Sequence, residues 1–316
     1  MSSKTYHFLS RSPSAVMLAE VLKKNDWSFS PNATLNDSLF DIPEDISCAL
    51  EYKHVLADFL KKHDLNFAPL THYIDDVNYN DVIRNLPEGK WILKPSMLNN
   101  GQDIHLFHQV SELLRHYQSN QRMGGPQVLQ AYIDPPHLLQ GPQLGHKYSL
   151  RMFVVMTFPY QAFLYPTGYF NICLSPYDTH RTNSLEGHLS NEHLIAGRRN
   201  VIQIPSFQYP IFQSFFPKIQ KMLSVFFQHF SQQVKSDIYQ KIAFLGIDFM
   251  LDANENLFLL EMNHGPCFPA AKDHPLQEKL YQPFWQACHD EILPIILHSS
   301  TKPLKKFQEL SGCVYT

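Results

Sequence analysis

Residues 246–263 read GIDFMLDANENLFLLEMN. Two apolar runs flank Ala253-Asn254-Glu255-Asn256, a four-residue loop of the kind that closes a β-hairpin. That loop pairs Asp252 with Leu257 and Phe249 with Leu260, and it sets Asp248 directly opposite Glu261. Side chains alternate along a strand, so Asn263 shares the Glu261 face. Two carboxylates facing each other across a sheet repel. The arrangement makes sense where a divalent cation sits between them. Oxygen-only ligands suit Mg²⁺, which uses one or two carboxylates plus substrate phosphates. An Asn263 amide oxygen would complete that set. Acidic residues beside a hairpin more often mark a solvated strand face. Here both strands are otherwise strongly apolar, which confines the polar groups to this cluster and favours a metal.

Working toward the N-terminus, residues 147–158 (KYSLRMFVVMTF) form a long candidate strand. Lys147, Ser149 and Arg151 alternate along it and project to one face. Two cations on an otherwise apolar strand fit a polyphosphate site, and they equally fit an edge strand protected by charge. Lys94 ends a short buried strand, WIL, stopped by Pro95. It can present a point charge to a phosphate, or it can simply snorkel at the surface. The following loop, Ser96 to Asp103, contains Gly101, and its amides could contact phosphates. His188-Leu-Ser-Asn191 lies in a polar, irregular stretch (175–205) and suits either a ligand or ordinary turn chemistry.

The rest of the chain sets the frame. Helical spacing appears at 13–24, 48–62, 109–118, within 207–240 and at 275–297. Strands are expected at 104–107 and 127–133, and a hairpin at 161–165 and 168–174. The 316 residues are 44% hydrophobic and 17% charged, with net charge −3. That is ample for a core and lacks the basic face of a nucleic-acid binder. Five cysteines, Cys48, Cys173, Cys267, Cys288 and Cys313, lie far apart with no CxxC pair. Reduced thiols and a cytoplasmic setting are expected. No signal-peptide core and no membrane span are expected.

Six blocks resemble, in order, the tubulin tyrosine ligase-like family. They are WILKPSMLNNGQDI (91–104), VLQAYI (128–133), HKYSLRMFVV (146–155), FLYPTGYFNICLSPY (163–177), HLSN (188–191) and LGIDFMLDANENLFLLEMN (245–263). The likeness covers roughly residues 50–270 and is most specific in its last block.

The resemblance implies an α+β, ATP-grasp fold with the nucleotide held between two α+β subdomains. It implies an N-terminal subdomain (1–70), a central one (71–134) and a C-terminal one (135–300); the tail (301–316), basic at Lys302, Lys305 and Lys306, is expected to be flexible from its composition and terminal position. It implies an ATP-dependent ligase that joins an amino acid to a protein or peptide carboxylate through an acyl phosphate. Lys94, Gly101, Gln130, Tyr132, Ile133, Lys147, Arg151, His188, Ser190, Asn191 and Leu260 are the implied ATP ligands. Lys147 and Arg151 are the implied catalytic cations, and Asp248, Glu261 and Asn263 the implied Mg²⁺ ligands.

Three positions depart from the family pattern. Ala131 replaces a hinge lysine, Ser149 an aspartate and Asn171 an arginine. Arg181, Arg198 or Arg199 could restore the missing charge. The departures keep open a nucleotide-binding protein with lost or altered ligase activity. A third reading is a scaffold that binds a partner through its Phe-rich stretch near 207–230, although such residues are more often core.

Overall fold

The computed structural model describes residues 4–98, 101–119, 122–141, 143–179, 185–192, 199–234, 238–266, 268–269, 273–297 and 303–312. Arg181, Arg198, Cys267 and Cys313 lie outside them. Strands and helices segregate into an α+β architecture with three sheets.

The first sheet is small. β1 (Thr5–His7) runs parallel to both β2 (Ser28–Phe29) and β3 (Leu35–Asn36). Helix α1 (Pro13–Lys24) starts where expected: Ser12 Oγ accepts from the Ala15 N–H at 3.3 Å, and Pro13 occupies the first turn. The single helix expected over 48–62 is instead two, α2 (Glu44–Glu51) and α3 (Lys53–Lys62). Tyr52 breaks it with extended backbone at φ −77° and ψ 117°. The break re-aims the first N–H groups of α3. Lys53 N donates to the Ser96 carbonyl at 3.2 Å and His54 N to Ser96 Oγ at 3.3 Å.

The second sheet has the order β4-β7-β5-β6. Its strands are β4 (Thr71–Ile74), β5 (Trp91–Pro95), β6 (His105–Phe107) and β7 (Gln127–Ala131). Helices α4 (Tyr79–Arg84) and α5 (Val110–Gln118) accompany it. Ile74, Ile83, Trp91, Leu93, Leu113 and Leu129 form its core. Alternation then turns Ile92, Lys94 and Gln130 to the opposite face.

The third sheet has the order β11-β10-β8-β12-β13, with β9 and β14 branching from the far half of β8. Its strands are β8 (Tyr148–Phe158), β9 (Gln161–Leu164), β10 (Tyr169–Cys173), β11 (Val201–Pro205), β12 (Lys241–Leu251), β13 (Leu257–His264) and β14 (Gln308–Gly312). One face packs on helix α6 (Phe212–Ser231), whose Phe212, Phe215, Phe226, Phe227 and Phe230 are buried in the main core. Those phenylalanines are therefore not a binding surface; Phe207 stays exposed. The far half of the other face is covered by residues 277–296. There α7 (Gln282–Ala287) and α8 (Leu293–Ile296) alternate with π-helical turns Gln277–Tyr281 and Cys288–Ile292.

Four expectations change here. Segments 161–164 and 169–173 do not pair with each other; each pairs with a different half of β8. The polar stretch 175–205 ends in a strand, β11, because Ile202 and Ile204 pack on the core. The tail is not wholly loose: β14 pairs antiparallel with β9, and the Glu291 carboxylate accepts from the Lys305, Lys306 and Phe307 N–H groups.

The fourth change concerns the hairpin. Asp248 does stand opposite Glu261, but Phe249 pairs with Leu259 and Leu251 with Leu257. Asp252 leaves the ladder; its N–H donates to the Asn256 carbonyl at 3.1 Å. The turn is one residue longer than expected, and a bulge at Leu260 restores the register.

Candidate active site

A cavity of about 270 Å³ lies between the second and third sheets. Its wall on one side carries Ile92, Lys94 and Gln130 from β5 and β7. The opposite wall is a ladder of polar side chains. Cross-strand pairing places Glu261, Asp248, Arg151 and Tyr169 in one row, and Ser149, Asn171 and Gln203 in the next. Tyr132, Ile133, His188, Ser190, Asn191, Asn263 and Leu260 also line the cavity. Leu260 reaches it because of the bulge: strict alternation would have turned it away from the Glu261 face.

The site is charged and tightly wired. Arg151 Nε donates to Asp248 Oδ1 at 2.7 Å, and its Nη2 bonds Oδ2. This is the bidentate geometry that makes guanidinium–carboxylate pairs strong. Burial works against the Arg151 charge and the Asp248 carboxylate overcomes it, holding Arg151 well above its ordinary value. Burial pushes the Asp248 carboxyl up, and the guanidinium pulls against that. Burial would raise Glu261 too, but Lys53, Lys94 and Arg151 outweigh it and hold that carboxyl at about 2. Asn263 Nδ2 donates to Glu261 Oε1 at 3.3 Å.

The two lysines are held differently. Lys94 Nζ donates to Gln130 Oε1 at 2.9 Å, while Gln130 Nε2 donates to Thr71 Oγ1 at 3.0 Å. The Thr71 hydroxyl in turn donates to the Pro69 carbonyl at 2.7 Å. Lys147 Nζ donates to the Tyr132 hydroxyl at 2.7 Å and lies 4.1 Å from that ring's centre. The Tyr132 hydroxyl is also 3.0 Å from His188 Nδ1. Burial lowers Lys94 to about 8 and Lys147 to about 7.

Of the nucleotide and metal ligands named from the sequence, all but Gly101 line this cavity. Gly101 instead packs against Asn191, which does line it. It has φ +73°, and a Cβ there would stand 3.0 Å from Asn191 Cγ, so the loop after β5 meets the 188–192 segment at this glycine. Arg199 pairs with Glu192 at 3.6 Å and is half exposed. Tyr169, Gln203, Met250 and Tyr281 also line the cavity and were not anticipated. Gln203 Nε2 donates to Asn171 Oδ1 at 3.0 Å. Among the described residues, no group of three or more His, Cys, Asp or Glu side chains is disposed to hold a metal. The candidate oxygen set contains only two carboxylates and an amide.

The close approach of Arg151 demands a small neighbour. A Cβ on Gly246 would stand 3.0 Å from Pro266 Cβ and 3.4 Å from Arg151 Cδ. Gly246→Ala is therefore expected to displace the guanidinium from Asp248 and cost about 1–3 kcal/mol through overpacking. Thermal unfolding checks the stability loss.

The sequence profile of the Tubulin-tyrosine ligase family matches residues 34–200, more than half of the chain. The chain belongs to the tubulin-tyrosine ligase family. The matched span includes β5, β7, β8 and β10, and hence Lys94, Gln130, Lys147 and Arg151. It ends before the β12–β13 hairpin. Relatives of this family member include "Protein polyglycylase TTLL10" of Macaca fascicularis, 27% identical over a 213-residue alignment that covers 56% of this chain and 34% of that protein. "Inactive polyglycylase TTLL10" of Homo sapiens is 27% identical over a 213-residue alignment that covers 56% of this chain and 31% of that protein. "Tubulin glycylase 3C" of Tetrahymena thermophila is 22% identical over a 237-residue alignment that covers 68% of this chain and 21% of that protein. The chain thus spans about a third or less of the length of these curated relatives. No helix among the described residues is long and apolar enough to cross a membrane.

Proposed function

We propose that the cavity between the two sheets binds ATP in the ATP-grasp manner and that the protein is an ATP-dependent carboxylate–amine ligase. One observation carries this reading: Lys94 from one sheet, and Arg151 from the other with Lys147 just before β8, converge on the cavity that holds Asp248 and Glu261. Three cations and two carboxylates on facing walls suit a polyphosphate with its counter-ion. This reading keeps a subdomain division at about residues 70 and 134; the second sheet, whose strands lie between Thr71 and Ala131, supports it.

In this reading Lys94 and Lys147 hold phosphate oxygens, while Gln130, Tyr132, Ile133 and Leu260 form the base-binding wall. His188, Ser190 and Asn191 line the cavity, with Asn191 beside Gly101. Asp248, Glu261 and Asn263 fit Mg²⁺: all three offer hard oxygen donors on one face, and Glu261 is held ionised. Magnesium bound there would neutralise charge on the phosphates. The substrate carboxylate takes the γ-phosphoryl group, and ADP leaves. The amine nitrogen then attacks the acyl carbon, loses a proton and expels phosphate. Arg151 and Lys147 stabilise the charge that develops on the transferred group. One of the two joined partners is an amino acid and the other a protein or peptide, as the glycylase names of the relatives suggest.

A second reading, nucleotide binding with lost or altered ligase chemistry, is favoured by the uncharged row Ser149–Asn171–Gln203 and by the human relative's name. ADP release measured with amino acids and a cell lysate separates the two. Release that requires both an acid and an amine supports the ligase. Magnesium-dependent ATP binding without any turnover supports the second reading, and no ATP binding defeats both.

A further inference from the structure

Lys53 sits where local physics disfavours it. It opens α3, whose first N–H groups have no partner within the helix and make that end positive, and the first turn holds no acidic residue to offset it. It is also 9% exposed, and a buried ammonium is costly unless paired. A residue that breaks two local rules marks a site with another task.

Two contacts in different directions compensate. Lys53 Nζ donates to the Leu98 carbonyl at 2.9 Å, in the loop after β5. It also stands 3.4 Å from Glu261 Oε2 on β13. The backbone follows the same plan. Lys53 N and His54 N bind Ser96, which is fully buried, and at the far end the Leu259 N–H donates to the Phe67 carbonyl at 2.7 Å. The α3 segment is therefore fastened to both walls of the cleft. A small void of about 20 Å³, bordered by Lys53, Thr71, Lys94, Gln130 and Leu260, lies just behind the cleft wall. Lys53 does not line the main cavity, so it acts through the groups it holds.

We propose that Lys53 is a positioning residue that ties the loop after β5 to Glu261, so that the phosphate-side loop and the metal-side carboxylate are set as one unit. Its catalytic consequence rests on the ATP reading above; the tie itself does not.

Hydrogen exchange on the full-length, nucleotide-free protein tests the tie. Lys53→Met and Glu261→Gln should each speed exchange across residues 96–98 and 101–103 about tenfold relative to α5 and β7. The double variant should be no faster than Lys53→Met, because both changes cut one connection. Lys53→Arg, which keeps the charge, should stay within about twofold of wild type. Additive effects, or an arginine variant as loose as the methionine one, overturn the proposal. So does loosening spread evenly over the protein with a lowered Tm, the mark of a merely structural lysine. If Lys53→Met does not fold, Lys53→Gln carries the same comparison. A parallel Mg·ATP titration should show a Kd raised about tenfold in Lys53→Met and restored by arginine. Wild-type protein that binds no Mg·ATP removes the functional reading, and the exchange comparison still decides the tie.

Discussion

Glu261→Gln should reduce ATP turnover by at least about a hundredfold, the scale on which removing one electrostatic stabiliser of phosphoryl transfer acts. The substitution keeps the shape and leaves a carbonyl oxygen that can accept from Asn263 Nδ2, as Glu261 does now at 3.3 Å. What it removes is the charge. Lys53, Lys94 and Arg151 together hold this carboxyl at about 2, so it is ionised throughout the working range. Without it, those cations are left with Asp248, each of whose oxygens already accepts one hydrogen bond from Arg151. The measurement is ADP release beside magnesium-dependent ATP calorimetry, with circular dichroism to establish folding. Full turnover in a folded variant would remove Glu261 from the metal side of the site.

Glu261 was legible in the sequence, but partly for an unforeseen reason. A four-residue turn puts Asp248 opposite Glu261; the real turn is one residue longer, and the Leu260 bulge cancels the slip. Turn residues are legible in a sequence because Asn and Asp chemistry is local. A bulge is not, because it is fixed by what the strand packs against. Periodicity likewise located Lys94, Lys147 and Arg151, since each alternates out of an apolar run. It could not find Tyr281, which reaches the cavity from a helical turn far away in sequence. Nor could it find Lys53, because 48–62 reads as one continuous helix until Ser96 captures the N–H groups at the break. Gln203 was hidden by a polar neighbourhood that disguised a five-residue strand.

Nucleotide affinity and protein stability should move in opposite directions as pH rises from about 7 to 9.5. The cause is the same two ammonium groups. Burial lowers Lys147 to about 7 and Lys94 to about 8, far below the ordinary 10.5. In the unfolded chain both lysines stay protonated to about pH 10, so across this window the unfolded state binds more protons. Stability of the free protein therefore rises with pH as the buried charges are lost. Binding runs the other way. Only the ammonium form attracts phosphate, and a bound polyphosphate raises both lysines again. Affinity is fully present below about pH 7 and falls as each lysine deprotonates, by up to about tenfold per pH unit per lysine. Binding at pH 8 should accordingly take up protons. Calorimetry in buffers of different ionisation enthalpy reads that uptake, and thermal unfolding with and without Mg·ATP reads both trends. Lys147→Met should flatten the part of the profile nearest pH 7. A Kd for Mg·ATP that stays constant from pH 6.5 to 9 would mean that neither lysine meets a phosphate, because groups so far displaced by burial cannot bind an anion without regaining their protons.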